Sequence, residues 1–139
     1  MTMNTTDTNI RTTAAHMLVT LSHAQLGMCD RALAMARKAH TYDMQHQLLE
    51  SLHRSGGFVA QFNNIEDLTT GLIEAIATTE MNAILASEED FEAFALQQFP
   101  NSEGASRFIH TDIHIHLNQI TTFHKLMDNL ETTWENNDA

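Results

Sequence analysis

The stretch that decides the fold is residues 109–134, IHTDIHIHLNQITTFHKLMDNLETTW. Within it, an apolar side chain or a single histidine recurs at alternating steps of four and three positions. The recurring residues are Ile109, Ile113, His116, Ile120, Phe123, Met127, Leu130 and Trp134. This spacing places all of these side chains along one stripe of an α-helix. We therefore predict a long C-terminal helix over about residues 106–135 that buries this stripe.

A similar pattern near the N-terminus predicts a second long helix, over about residues 10–40. Small or apolar residues recur at steps of three and four at Ile10, Ala14, Met17, Leu21, Ala24, Met28, Ala32, Met35, Ala39 and Tyr42. Such steps keep one face of a helix inward over its whole length. The many alanines in the pattern favour close approach of a neighbouring helix.

Capping residues between these two stretches predict three shorter helices. A helix N-terminus favours Ser, Thr, Asp or Asn, whereas Gly and Pro mark helix ends. The start signals are Thr41 or Asp43, Asn64, and the run of residues 87–90; the stop signals are residues 55–57 and Pro100. We expect a loop over residues 100–105 before the C-terminal helix.

The composition agrees with an all-α fold. The chain of 139 residues contains one Pro and five Gly, too few breakers for a protein of many short strands. We predict an elongated bundle of about five helices, two long and three shorter. Residues 9–135 would form a single domain, with polar tails at 1–8 and 136–139.

The charge is strongly negative and unevenly distributed. The net charge is −11, and no Lys or Arg occurs between Arg54 and Arg107. Such a surface repels nucleic-acid phosphates and attracts basic proteins, so we expect a basic protein partner and no direct nucleic-acid binding. The predicted acidic interaction face consists of Glu66, Asp67, Glu74, Glu80, Glu88, Glu89, Asp90 and Glu92. The simpler alternative is that these charges only keep the protein soluble.

The C-terminal stripe also suggests self-association. A narrow stripe suits pairing of two helices, so we expect a homodimer through Ile113, His116, Ile120, Phe123, Met127, Leu130 and Trp134. His116 replaces an apolar residue there, and a lone polar group at such a position often fixes register or oligomeric state. In the alternative, the helix turns slightly and Leu117 takes the inward position.

The nine histidines raise the question of a metal site. Helical spacing pairs His110 with His114 and Asp112 with His116, and aligns Asp43, His46, Glu50 and His53. A di-iron bundle needs two Glu-x-x-His helices, and the chain has one such motif, at residues 50–53. Zinc would lack a clear third ligand. We therefore predict no metal and no cofactor, with the histidines in solvent or at the rim of the core.

Catalytic and membrane functions find little support in the sequence. Cys29, the single cysteine, lies in no nucleophile motif, and residues 55–57 lack the Lys-Ser/Thr of a phosphate-binding loop. No apolar run approaches the roughly eighteen residues that span a bilayer. We expect a cytoplasmic protein that is not an enzyme, although a polar N-terminus is compatible with some export routes.

Three functional classes follow from these patterns. The first is an acidic helical interaction module that binds a basic protein, as an adaptor, a chaperone or an inhibitor, one form of which mimics nucleic acid. The second is a structural or exported subunit that self-assembles through its long helices. The third is a histidine-based metal-binding bundle.

Overall fold

Helices make up the part of the chain that the structure describes. This computed structural model describes residues 5–88 and 91–137, with side chains for residues 7–80 and 91–136. The elements are α1 (Thr5–Lys38), α2 (Tyr42–Ser55), a 3-10 turn (Phe58–Gln61), α3 (Ile65–Glu88), α4 (Phe91–Gln98), α5 (Ser102–Arg107), a π-helical turn (Phe108–Asp112) and α6 (Ile113–Asn137). No strand occurs in these ranges. The predicted all-α bundle is confirmed.

The C-terminal helix begins earlier than the sequence indicated. The side chain of Asn101 accepts a hydrogen bond of 2.7 Å from the backbone N–H of Gly104, and this cap starts α5 at Ser102. The backbone stays helical through Arg107, Phe108 and Ile113, so α5, the π-helical turn and α6 are continuous. The loop predicted over residues 100–105 is therefore wrong from Ser102 onward.

The π-helical turn adds one residue to a single turn of this long helix. The backbone N–H of Ile113 donates to the carbonyl of Phe108, five residues earlier. Phe108 and Ile113 consequently lie one wide turn apart, and both are buried. Ile109, which the regular spacing predicted to face inward, is only half-buried.

Helix α1 is buried on two adjacent sides. Six positions of its predicted stripe are buried, namely Ala14, Leu21, Met28, Ala32, Met35 and Ala39. A second buried stripe, which the pattern did not predict, consists of Arg11, Ala15, Cys29, Leu33 and Ala36. This double burial agrees with the position of α1, against which α3, α4, α5 and α6 all pack. Tyr42 was predicted to continue the first stripe, but it opens α2 and is 82% exposed.

Side-chain caps set the limits of the helices between the two long ones. The Thr41 hydroxyl accepts from the N–H of Met44 at 3.1 Å, and Asn64 accepts from the N–H of Asp67 at 2.8 Å. These two of the three predicted start signals are thus confirmed. The third, at residues 87–90, lies partly outside the described residues. Helix α2 ends at Ser55, and the Gly56 that follows has a φ of 79°, which is readily adopted only by glycine.

The helical part of the chain extends into both predicted tails. Helix α1 begins at Thr5, so residues 5–8 are helical. Residues 1–4 lie outside the described part of the chain. At the other end α6 continues to Asn137, past the predicted limit of the domain at residue 135, and residues 138–139 again lie outside it.

Two helical glycines should respond oppositely to substitution by alanine. A Cβ at Gly27 meets no atom within 4 Å, so Gly27→Ala should stabilise the fold by about 0.5–1 kcal/mol through the better helix propensity of alanine. A Cβ at Gly71 would collide with the ring of Phe62, and overpacking of this kind costs about 1–3 kcal/mol. Urea unfolding followed by the fluorescence of the single tryptophan, Trp134, measures both. Equal stabilisation by the two variants would contradict the packing of Phe62.

Candidate functional site

The outer side of α3 carries four of the eight residues of the predicted acidic face. Glu66, Asp67, Glu74 and Glu80 are all exposed. At 3.6 residues per turn these positions fall within one half of the helix circumference. Leu68 and Leu72 lie on the other side and are fully buried. Helix α3 therefore packs through one side and presents carboxylates on the other.

These four carboxylates are not neutralised by ion pairs within the described part of the chain. The ion pairs in this part of the chain join other acids: Arg31 pairs with Asp128 and Glu131, Arg54 with Glu50, and Arg107 with Asp112. Asp67 is held by the amide of Asn64, which donates to its Oδ2 at 3.0 Å. The negative potential of this face is thus directed to solvent.

The remaining residues of the predicted acidic face are only partly described. Glu92 lies on α4 and is exposed. The side chain of Glu88, and residues Glu89 and Asp90, lie outside the described part. The acidic surface that can be placed is therefore the α3 face, defined here as Glu66, Asp67, Glu74 and Glu80.

An aromatic groove borders the α3 face, between α3 and the 3-10 turn. Its volume is about 490 Å³. The rings of Phe58 and Phe62 lie in its wall in an edge-to-face arrangement, with centroids 5.4 Å apart. Gly71, Glu74 and Thr78 contribute the α3 side. We call this feature the Phe58–Phe62 groove.

Packing below the groove fixes the position of its rings. Val59 is buried beside Phe58, and the imidazole Nε2 of His53 lies 2.9 Å from the carbonyl oxygen of Phe62. The Phe62 ring lies against Gly71, where a larger residue would displace it. This groove was not predicted from the sequence. The available signals were two phenylalanines four residues apart, at the start of a short turn and just after its end, and a glycine inside a helix.

The predicted self-association stripe lies mostly in the interior of a single chain. Six of its seven residues are buried there, namely Ile113, Ile120, Phe123, Met127, Leu130 and Trp134. The stripe faces the core because α6 packs on α1 and α2. The indole N–H of Trp134 also donates to Gln47 of α2 at 2.8 Å. A second copy of the chain has no access to these side chains while this fold persists.

His116 lies at the edge of the core and not in its centre. It is half-buried, whereas Leu117 is 42% exposed. The alternative in which Leu117 takes the inward place is therefore wrong. A role for His116 in fixing an oligomeric state remains a prediction.

A polar cluster joins α1 to α6 at the rim of the core. The Arg31 guanidinium donates to Asp128 at 2.6 Å and lies 3.4 Å from Glu131. It also donates to Nδ1 of His124 at 3.0 Å. Because a guanidinium only donates, His124 must accept at Nδ1 and carry its proton on Nε2. The cluster thus requires a neutral imidazole.

The electrostatics of the cluster favour that neutral form. Burial, and then the positive charge of Arg31, lower the pKa of His124 below its ordinary value of 6.5, with partial opposition from Asp128. The pKa of Arg31 responds in the other direction: burial lowers it, but the hydrogen bond to Asp128 and the charges of Glu131 and Asp128 outweigh burial and raise it. The guanidinium therefore stays charged and the imidazole neutral at physiological pH.

The histidine pairs proposed from spacing do not assemble into a metal centre. Within the described residues, no three His, Cys, Asp or Glu side chains converge to hold an ion. The candidates on α2 are all exposed, namely Asp43, His46, Glu50 and His53. His110 and His114 are exposed as well, and Asp112 and His116 are half-buried.

The single cysteine is part of the core. Cys29 is buried in the second stripe of α1. Burial, and then the charge of Asp30, raise the pKa of its thiol. A thiol that stays protonated is a poor nucleophile.

Comparisons with known proteins identify no relative. No protein family, no curated protein and no solved structure matches this chain. In the helices that the structure describes, none combines the length and apolar character that crossing a bilayer requires.

Thermal melting of the wild type and of a core variant distinguishes a C-terminal stripe that packs within one chain from one that joins two chains. Phe123 is fully buried, so Phe123→Ala should lower the free energy of unfolding by about 3–5 kcal/mol. If the stripe acts only within one chain, the melting temperature of the wild type and of the variant should not depend on protein concentration. Thermal melts over a wide concentration range, with light scattering, make this measurement. A melting temperature that rises with concentration would support the homodimer.

The polar cluster predicts a loss of stability in acid. In the unfolded chain His124 titrates near 6.5, whereas its pKa is lower in the folded protein, so below pH 6.5 the unfolded state binds more protons. This contribution should be constant at higher pH, and stability should fall as the pH drops below 6.5 and towards the folded pKa. Urea unfolding at a series of pH values measures it.

A matched pair of variants assigns this pH dependence. His124→Asn places an amide oxygen where Nδ1 accepts, so it should remove the part of the pH dependence due to His124 while keeping a partner for Arg31. The exposed His114, replaced by Asn, serves as the control and should leave that dependence unchanged. If the free energy of unfolding depends on pH in the same way in both variants, His124 is not the responsible group.

Proposed function

We propose that this protein is an acidic helical interaction module that binds a basic protein partner through the α3 face. The proposal rests chiefly on one observation: four exposed carboxylates lie on one side of one helix and have no ion-pair partner in the described part of the chain. A basic surface would supply the missing partners. An adaptor, a chaperone and an inhibitor would all use such a face.

The distribution of charge supports binding over general solubility. A surface that serves only solubility intersperses both signs of charge. Here no Lys or Arg occurs over residues 55–106, which include the whole of α3 and α4. The potential of this region is therefore of a single sign, which accelerates encounter with a basic partner.

The burial of the C-terminal stripe weighs against the self-assembly alternative. That alternative relied on side chains that the fold already uses to join α6 to α1 and α2. The α3 face, by contrast, lies outside the core. We therefore propose α3, and not α6, as the interaction surface.

A neutralised variant tests the proposal. In the test variant, Glu66→Gln, Asp67→Asn, Glu74→Gln and Glu80→Gln remove four charges from the α3 face. In the control, Asp30→Asn, Asp43→Asn, Glu103→Gln and Glu135→Gln remove four exposed charges elsewhere. Titration with an oligolysine peptide at low and moderate salt measures the affinity of each. We expect the test variant to lose most of the binding and the control to keep most of it.

Salt and cross-linking provide two further readouts. Binding through exposed charges should weaken steeply as salt rises, because ions screen such contacts. Zero-length carboxyl–amine cross-linking in extracts of the source cells should join partner lysines to α3 carboxylates. Equal losses in both variants would mean that only net charge matters, and the proposal of a defined face would be abandoned.

A further inference from the structure

We propose that the Phe58–Phe62 groove receives the side chain of an arginine from the basic partner. This inference rests on the proposed function, since it names the contact by which a partner on the α3 face would be anchored. It goes further in assigning a pocket, a residue type and a geometry.

The groove offers an aromatic wall at the protein surface. Phe58 is 42% exposed although it is a large apolar residue, and its ring meets the Phe62 ring at 79°. The face of an aromatic ring carries a partial negative charge and its edge a partial positive charge, so a cation is attracted to the ring face. A volume of about 490 Å³ gives an extended side chain room to lie along the rings.

Carboxylates stand on the α3 side of the groove. Glu74 lines it directly, and Asp67 lies on the same helical stripe as Gly71, Glu74 and Thr78. Neither acid pairs with a cation in the described part of the chain, and no Lys or Arg occurs between Arg54 and Arg107. A cation brought by a partner could therefore pair with these carboxylates without having to displace a Lys or Arg of the same region.

The two threonine hydroxyls that line the groove are already engaged as donors. Thr78 donates to the carbonyl of Glu74 at 2.9 Å, and Thr79 donates to the carbonyl of Ala75 at 2.8 Å. Their protons are thus used within α3, whereas the carboxylate of Glu74 can accept. The amide of Gln61 also lines the groove and can both donate and accept. With the Glu74 carboxylate as its one charged group, the groove suits a side chain rich in N–H groups better than an anion.

Arginine fits this combination better than lysine. A guanidinium is planar, so it stacks on a ring face while its edge donates two hydrogen bonds to one carboxylate. It is also less strongly hydrated than an ammonium and so loses less on entering an apolar groove. An aliphatic side chain would gain from the rings but would leave Glu74 without a partner.

Two peptides distinguish binding of an arginine in the groove from general attraction between opposite charges. One is a short oligolysine, and the other is the same peptide with one lysine replaced by arginine. The wild-type protein should bind the arginine peptide roughly two- to fivefold more tightly, the increment of a cation–aromatic contact at an exposed site. Titration calorimetry gives the affinities, and NMR should show the largest shifts at Phe58 and Phe62.

Variants within and outside the groove provide the control. Phe58→Leu keeps the apolar volume but removes the ring, so it should abolish the preference for arginine while leaving oligolysine binding nearly unchanged. Glu74→Gln should reduce that preference, whereas Glu80→Gln, which removes the same charge from α3 beyond the groove lining, should preserve it. Far-UV circular dichroism and urea unfolding confirm that each variant is folded.

The outcomes distinguish this inference from the proposed function. If the protein binds both peptides equally and Phe58→Leu changes nothing, the groove is not an arginine site, while the α3 face stands. If neither peptide binds, or if neutralising the α3 face leaves binding intact, both proposals fail. A preference for arginine that survives in Phe58→Leu would also overturn the inference.

Discussion

Helix α1 has to be covered on two adjacent sides, and the arrangement of the bundle depends on this constraint. Its two buried stripes include Met28 and Met35 on one side and Cys29 and Leu33 on the other. One neighbouring helix covers only one stripe, so α3 and α4 as well as α5 and α6 pack around it. The small residues Ala14, Ala15, Ala32 and Ala36 line these stripes with little side-chain bulk, which allows close approach of the neighbouring backbones.

The same constraint explains where the charged surface lies. A helix that packs on α1 through one side leaves its other side in solvent, and α3 does so over residues 65–80, where its side chains are described. Because Leu68 and Leu72 provide the packing side, Glu66 and Glu74 have to lie outward. The position of the acidic face thus follows from the core and not from any interaction among the acids themselves.

The sequence predicted those parts of the structure that depend on local spacing. The stripe of α6 and the caps at Thr41 and Asn64 are local signals, and the structure contains both. The second stripe of α1 was not predicted, because it includes the charged Arg11 and several small residues that give little hydrophobic contrast. Its burial depends on which helices surround α1, and spacing along one helix does not carry that information.

The groove was out of reach of sequence reasoning for the same physical reason. The Phe62 ring meets Gly71 across the break between the 3-10 turn and α3, so their contact is tertiary. Each residue taken alone has an ordinary explanation: an apolar side chain after a turn, and a helical glycine that costs some stability. The acidic face was predicted because charge accumulates along the sequence, and four of its residues do lie together on α3.

The π-helical turn at Phe108–Asp112 separates the C-terminal helix into two parts with different rotational phase. In a regular helix Ile109 would lie on the buried stripe of α6. The extra residue rotates the segment before the turn, so that Phe108 is buried and Ile109 only half-buried. The segment before the turn and the segment after it can therefore each direct their buried side chains towards the helices that they contact. A change in length at this turn would rotate one segment against the other, whereas a substitution that preserves length would not.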